Sequence, residues 1–323
     1  MKSAASVLIH ASQFPESVRR DLLASLRTRQ INHKFHYDSI KQTQKWLALH
    51  QIYSPSRNDA DCAATYDRAF AEAAEKIRSK RVHVVGLGCG GGQKDARLLK
   101  RLKSRGREIR YTPCDVSTAM VLVARETVLA VLPGKNCFPF VCDLASASGL
   151  SAAIATRQPS LMTFFGMIPN FEPQMILPKL AALVGPKDHL LFSANLAPGK
   201  SYAVGAEKVL LQYDNPPTRD WLLTFLLDLG VERADGKLSF KIENGFAGLK
   251  RIVARFRFAR ATRVEIEAEK FAFRRGDSLR LFFSYRYTPA RIRKLLARHG
   301  LEILDQWITK SEEEGVFFCR RKR

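Results

Sequence analysis

Between residues 82 and 196 the chain alternates short, continuously apolar runs with segments of helical composition, and this rhythm restricts the fold more than any other feature. The runs are VHVVGLG (82–88), IRYTPCD (109–115), CFPFVCD (137–143), LMTFFG (161–166) and HLLFSANL (189–196). A strand apolar on both faces must be covered on both faces. Alternation with helices therefore predicts an α/β fold around a parallel sheet. A sheet with one wet face would instead alternate apolar and polar residues along each strand. No run approaches the ~18 apolar residues of a membrane helix. With 46% apolar and 26% charged residues, disordered, collagenous and coiled-coil classes are set aside.

The flanking segments differ. Residues 15–49 favour helix, with Val18, Leu22, Leu23 and Leu26 at helical spacing, which predicts an amphipathic helix there. Residues 59–78 predict a second, with Ala64, Phe70, Ala74 and Ile77 near one face. After Pro198 an aromatic segment containing Tyr202, Tyr213 and Trp221 leads into a helical stretch and then a β-rich block. There Arg255 and Arg257 alternate with Phe256 and Phe258, while Glu265, Glu267 and Glu269 alternate with Val264, Ile266 and Ala268. Pairing these two strands would set basic against acidic residues on one face. A helix at 289–299, a strand at 301–308, a turn at 311–315 and a strand at 316–319 complete the pattern.

The 53 Lys and Arg against 31 Asp and Glu leave a net charge of +22, which attracts polyanions. The basic residues are dispersed and no RNA-binding module is recognisable, so nucleic acid is expected only as a nonspecific partner. The six cysteines form no CxxC pair and read as reduced core thiols. His33 and His36 are the only close histidine pair, without cysteine or acid at ligand spacing, so no metal is expected. The opening MKSAASVLIHASQF has too short an apolar stretch for a leader, and a cytoplasmic monomer is expected.

The strongest local signal is VVGLGCGGGQK, an apolar strand ending in Gly86, Gly88, Gly90, Gly91 and Gly92 ahead of the helix-favouring KDARLLKRL. Glycine lets the backbone turn tightly and approach a ligand. Asp115 ends the next apolar run, where an acid accepts hydrogen bonds from ribose hydroxyls, and Asp143 ends the one after. Nicotinamide enzymes share this turn. The ending decides between them: after five apolar runs come a helix and the pair LEILDQWITK and GVFFCRR, the finish of the Rossmann-like seven-stranded sheet of class I S-adenosylmethionine methyltransferases.

From about Asn32 onward the chain resembles the histidine-specific N-alpha-methyltransferase family. KFHYD (34–38) is similar to its K-x-x-YD, SPSR (54–57) to Y-P-T-R, and GLGCGGGQK (86–94) to E-L-G-S-G-S-x-x-K. DVS (115–117) matches directly, FFGMIPNFEP (164–173) resembles F-x-G-S-x-I-G-N-F-x-P, and FSYRYT (283–288) resembles E-x-S-x-K-Y-T. QYDNPPTRDWLLTFL (212–226) corresponds to a segment with a substrate-contacting tyrosine. The resemblance implies a methyltransferase core at 59–197 and 286–323, with an inserted α+β substrate-binding part at 198–285 joined by a helical part at 1–58. It implies S-adenosylmethionine along Gly88, Cys89, Gly90, Lys94, Asp115, Asp143 and Leu144, with Lys94 toward the methionine carboxylate. Asn170 and Tyr37 would be catalytic, and Tyr53, Tyr213, Phe282 and Ser284 would bind an amino acid or related amine.

The departures are Gly86 in place of an acid, Ser54 in place of a tyrosine with Tyr53 adjacent, a central motif one residue shorter, and Phe282 in place of the glutamate that pairs with the substrate imidazole. Phe282 removes the charged partner a buried imidazole needs, so a substrate other than histidine is expected. The alternatives are an RNA-binding protein or RNA methyltransferase on this fold, which the net charge favours, and a non-catalytic homologue, which Gly86 and Ser54 favour.

Overall fold

The structure is a computed structural model and describes residues 4–322. At its centre is an eight-stranded sheet. β2 (Arg81–Leu87) lies in the middle, flanked on one side by β3 (Glu108–Asp115), β4 (Phe140–Val141) and β1 (Leu8–Ile9). On the other side follow β5 (Ser160–Phe164), β6 (His189–Asn195), β13 (Glu314–Arg321) and β12 (Leu301–Ile308). The first six strands run parallel, whereas β13 runs antiparallel to both β6 and β12. This is the class I methyltransferase order, with the last strand of the chain inserted antiparallel between β6 and β12. β1 is an addition: within the part at 1–58 expected to be helical, Leu8 and Ile9 pair with Phe140 and Val141.

Continuous hydrophobicity has the predicted cause. Along β2, Val85 and Leu87 enter a core with Phe164, Ile176 and Phe192, while Val82 and Val84 enter a second with Phe70, Leu98 and Leu102. In the run 137–143 only Phe140–Val141 is strand. Pro139 lacks the N–H a ladder needs.

A second sheet has the order β11 (Ser278–Tyr285), β8 (Lys250–Phe258), β7 (Gly236–Asn244), and β9 (Thr262–Ile266) pairs with β10 (Glu269–Phe273) as a ribbon. Its apolar side shares a third core with Leu26, Ile31 and Phe35 from the N-terminal part and Trp221, Leu222 and Phe225 from the helix Pro216–Asp228. Phe256 and Phe258 are buried there, as their alternation suggested. The expected pairing of the Arg255 strand with the Glu265 strand does not occur, because β7 and β11 already occupy both edges of β8. Arg255 instead bonds Glu243 at 2.8 Å, and Glu267 and Glu269 bond Arg19 and Arg27 at 2.6 and 2.9 Å.

The segment 15–49 is also not one helix. Helix Pro15–Thr28 ends at Arg29 in the left-handed region, and helix Ile40–Tyr53 starts from a capping box of Ser39 and Gln42. Between them lies a short turn, His33–His36, capped by Asn32. Two capping signals interrupt the amphipathic pattern and turn Ile31 and Phe35 into the third core. All six cysteines are free, and all but Cys89 are buried. Among the described residues no helix is long and apolar enough to cross a membrane.

Candidate active site

A cavity of about 330 Å³ opens at the carboxyl ends of the parallel strands, where it meets the N-terminal turn, helix Pro216–Asp228 and β11. Beyond β2 the chain turns through Gly88, Gly90 and Gly92 at φ of +60°, +51° and +76° before helix Gln93–Ser104. A Cβ on Gly92 would sit 2.8 Å from the Ala124 backbone, so glycine is required for packing as well as for conformation. The loop backbone closes onto the neighbouring strand: the Gly90 N–H donates to the Asp115 carboxylate at 3.1 Å, and the Ser117 N–H does so at 3.1 Å. Burial outweighs these bonds and pushes the Asp115 carboxyl up to about 6.

Asp143 is also buried. Its carboxylate accepts from the Ala145 N–H at 2.8 Å and the Ser146 hydroxyl at 2.9 Å, with the Lys34 ammonium 3.7 Å away. Lys34 itself is buried and bonds Asp21 at 2.6 Å, which ties helix Pro15–Thr28 to this corner. Gly88, Cys89, Gly90, Lys94, Asp115, Asp143 and Leu144 all line the cavity. Two strand-end carboxylates, a loop of four glycines and Cys89, and the apolar Val116, Met120 and Leu144 suit a hydroxylated nucleoside. The lining fits S-adenosylmethionine.

The rest of the lining is aromatic. Tyr53, Asn170, Tyr213, Trp221 and Phe282 contribute to it, while Tyr37 and Trp46 join it to the glycine loop, Trp46 standing 3.0 Å from where a Cβ on Gly90 would be. Asn170 ends the turn Ile168–Asn170 after β5, and among the described residues no protein group bonds its side-chain amide. Burial and the nearby Asp115 charge raise the Tyr37 hydroxyl, which keeps it protonated. Tyr53 is half exposed at the edge, while Ser54 is buried and bonds Ser56 at 3.0 Å. The Phe282 ring packs 5.9 Å from Trp221, 6.1 Å from Tyr213 and 5.1 Å from His33, centroid to centroid.

Ser284 is not on the cavity wall. It is buried behind Tyr213, whose hydroxyl it bonds at 3.0 Å. That hydroxyl also accepts from Asn195 at 3.2 Å and from the Arg286 guanidinium, so Tyr213 presents its ring rather than a free hydroxyl. Glu243, an acid of β7, bonds Arg255 and lies 3.7 Å from Arg251, away from the lining. Sequence reasoning missed Trp46, Asn195, Glu314 and the buried Arg286. The signal for Asn195 was a polar residue at the end of an apolar run, and for Arg286 its place at the lysine of E-x-S-x-K-Y-T; nothing local marked Trp46 or Glu314.

Fold and site together define a class I S-adenosylmethionine methyltransferase. The family described as histidine-specific, S-adenosylmethionine-dependent methyltransferases matches residues 18–223 and 233–321, and the chain belongs to it. A curated relative, the N-methyltransferase fsqC of Aspergillus fumigatus, is 23% identical over 246 residues, 72% of this chain and 64% of that protein. Among solved structures, the CcbJ methyltransferase from Streptomyces caelestis is 14% identical with a TM-score of 0.41, covering 80% of this chain and 95% of that one. The glycopeptide N-methyltransferase MtfA bound to S-adenosylmethionine is 13% identical with a TM-score of 0.38, covering 79% and 93%.

Proposed function

We propose that this chain N-methylates the α-amino group of an amino acid whose side chain is aromatic or apolar. The observation that carries this reading is Phe282, buried beside Tyr213 and Trp221 at an end of the cavity where no described carboxylate lines the wall. The four lining acids, Asp95, Asp115, Asp143 and Glu314, belong to the glycine-loop end. An imidazole buried against Phe282 would leave a ring N–H unpaired, costing roughly 1–3 kcal/mol. A phenyl or indole ring gains by burial.

S-adenosylmethionine supplies an activated methyl group on its sulfonium. The chain has to hold an uncharged amine in line at near-attack distance, which is a positioning task. The Asn170 side-chain oxygen accepts from the amine N–H and leaves the nitrogen lone pair free. The Tyr37 hydroxyl, kept protonated, flanks the same group. The aromatic walls exclude water around the side chain, and solvent takes the departing proton.

Purified protein supplied with S-adenosylmethionine and one amino acid at a time tests the reading by mass spectrometry. Phenylalanine, tyrosine or tryptophan should be methylated at least tenfold faster than histidine, about 1.4 kcal/mol in transition-state terms. Histidine leading by that margin would overturn it.

A further inference from the structure

Glu314, the first residue of β13, reaches the cavity wall beside Lys94 and is used by no role assigned so far. Its carboxylate accepts from the Tyr66 hydroxyl and, at 3.5 Å, from the Cys62 thiol. Burial and the Glu314 charge push both of those groups up, so both stay protonated as donors. Lys94 donates to the same Tyr66 hydroxyl at 2.8 Å, and its ammonium lies 3.9 Å from Glu314. One anion and one cation thus stand side by side, bridged by a neutral phenol, on the wall of a cavity that fits S-adenosylmethionine.

A carboxylate has about four lone-pair sites, and Tyr66 and Cys62 take two. Glu314 lines the cavity, so the remainder are available to a ligand there. The ammonium nitrogen and carboxylate oxygens of an α-amino acid lie about 3 Å apart by its bond lengths, close enough together for one such group to meet two opposite charges that stand 3.9 Å from each other. We propose that Glu314 binds the ammonium of the cofactor's methionine moiety, so that Glu314 and Lys94 together read it as a zwitterion. The inference rests on the cofactor lying in this cavity.

Calorimetric titration with S-adenosylhomocysteine and with 5′-methylthioadenosine, which lacks the zwitterion, tests it. Glu314→Gln keeps the Tyr66 hydrogen bond and removes the charge. It should weaken S-adenosylhomocysteine at least tenfold and change methylthioadenosine less than twofold. An equal loss for both ligands, or no loss for either, would overturn the assignment. If that variant does not fold, the wild-type protein decides: S-adenosylhomocysteine lacking its amino group should bind at least tenfold more weakly than the parent compound, and equal affinity would overturn the proposal. Wild-type protein that binds neither nucleoside removes the site reading itself, and this inference with it.

Discussion

The Asp95 carboxylate occupies the space that a side chain on Gly86 would need: a Cβ built on Gly86 would lie 2.2 Å from Asp95 Oδ2. Asp95 sits in the first turn of helix Gln93–Ser104, where it accepts from the Tyr111 hydroxyl at 2.6 Å and the Thr163 hydroxyl at 2.7 Å. The motif resemblance would put an acid on the strand at position 86; in this chain a glycine there leaves room for an acid from the helix.

Gly86→Ala should destabilise the protein by roughly 1–3 kcal/mol through overpacking, and Asp95→Ala by roughly 1–3 kcal/mol through unpaired hydroxyls. The double variant should fall short of the sum by at least about 1 kcal/mol, because the alanine methyl then enters vacated space. Urea denaturation of the four proteins measures the coupling. Additive costs would show that the two positions do not compete for one volume.

Asp115 should couple cofactor binding to pH. Ribose hydroxyls would donate to its ionised form, and burial has raised the folded-state carboxyl to about 6 from 3.8. Cofactor affinity should therefore fall as pH drops through about 6, by up to tenfold per unit. The folded state holds a proton that the unfolded chain has lost between about 4 and 6, so the residue's contribution to stability decreases as pH rises through that window. Relative to wild type, Asp115→Asn should gain up to ~3 kcal/mol between pH 4 and pH 7. A flat difference across that range would show the carboxyl to be unperturbed.

Phe282→Glu introduces the acid that the motif resemblance implies at this position. The variant should raise kcat/KM for histidine relative to phenylalanine at least tenfold, about 1.4 kcal/mol. A lower melting temperature is expected as well, since an unpaired carboxylate is buried against Trp221. An unchanged ratio in folded protein would detach substrate choice from position 282.

The parts of this fold legible in the sequence are those set by local pattern. Runs buried on both faces, such as 82–88, can only be central parallel strands, and Gly88, Gly90 and Gly92 can only be a tight turn. Strand partners were less legible: the charges of Arg255 and Glu265 suggested a pair, yet edge availability in the second sheet decided the outcome. Ser284 illustrates a further limit. A motif fixes a position along the chain, while the depth of Tyr213 in the site determines whether that position touches the cavity. The glycine motif marked Lys94, but its long-range pairing with Glu314 leaves no local trace.

Arg286 should make the enzyme prefer an acid to an amine. Its guanidinium is buried, donates to the Tyr213 hydroxyl, lies 5.0 Å from that ring's centroid and leaves its Nε without a partner. Among the described residues no carboxylate pairs with it. A buried unpaired cation is costly unless something offsets its charge, and the cavity lies just beyond Tyr213 and Asn195. A substrate carboxylate held at the Asn195 amide would supply the offset, worth roughly 2 kcal/mol at ~7 Å with an effective dielectric constant of ~20. Tyrosine should accordingly exceed tyramine in kcat/KM by at least tenfold. Arg286→Met should remove most of that preference, lowering tyrosine turnover while changing tyramine less than threefold, and Arg286→Lys should keep it. An equal loss for acid and amine would assign Arg286 to holding Tyr213 in place and nothing more.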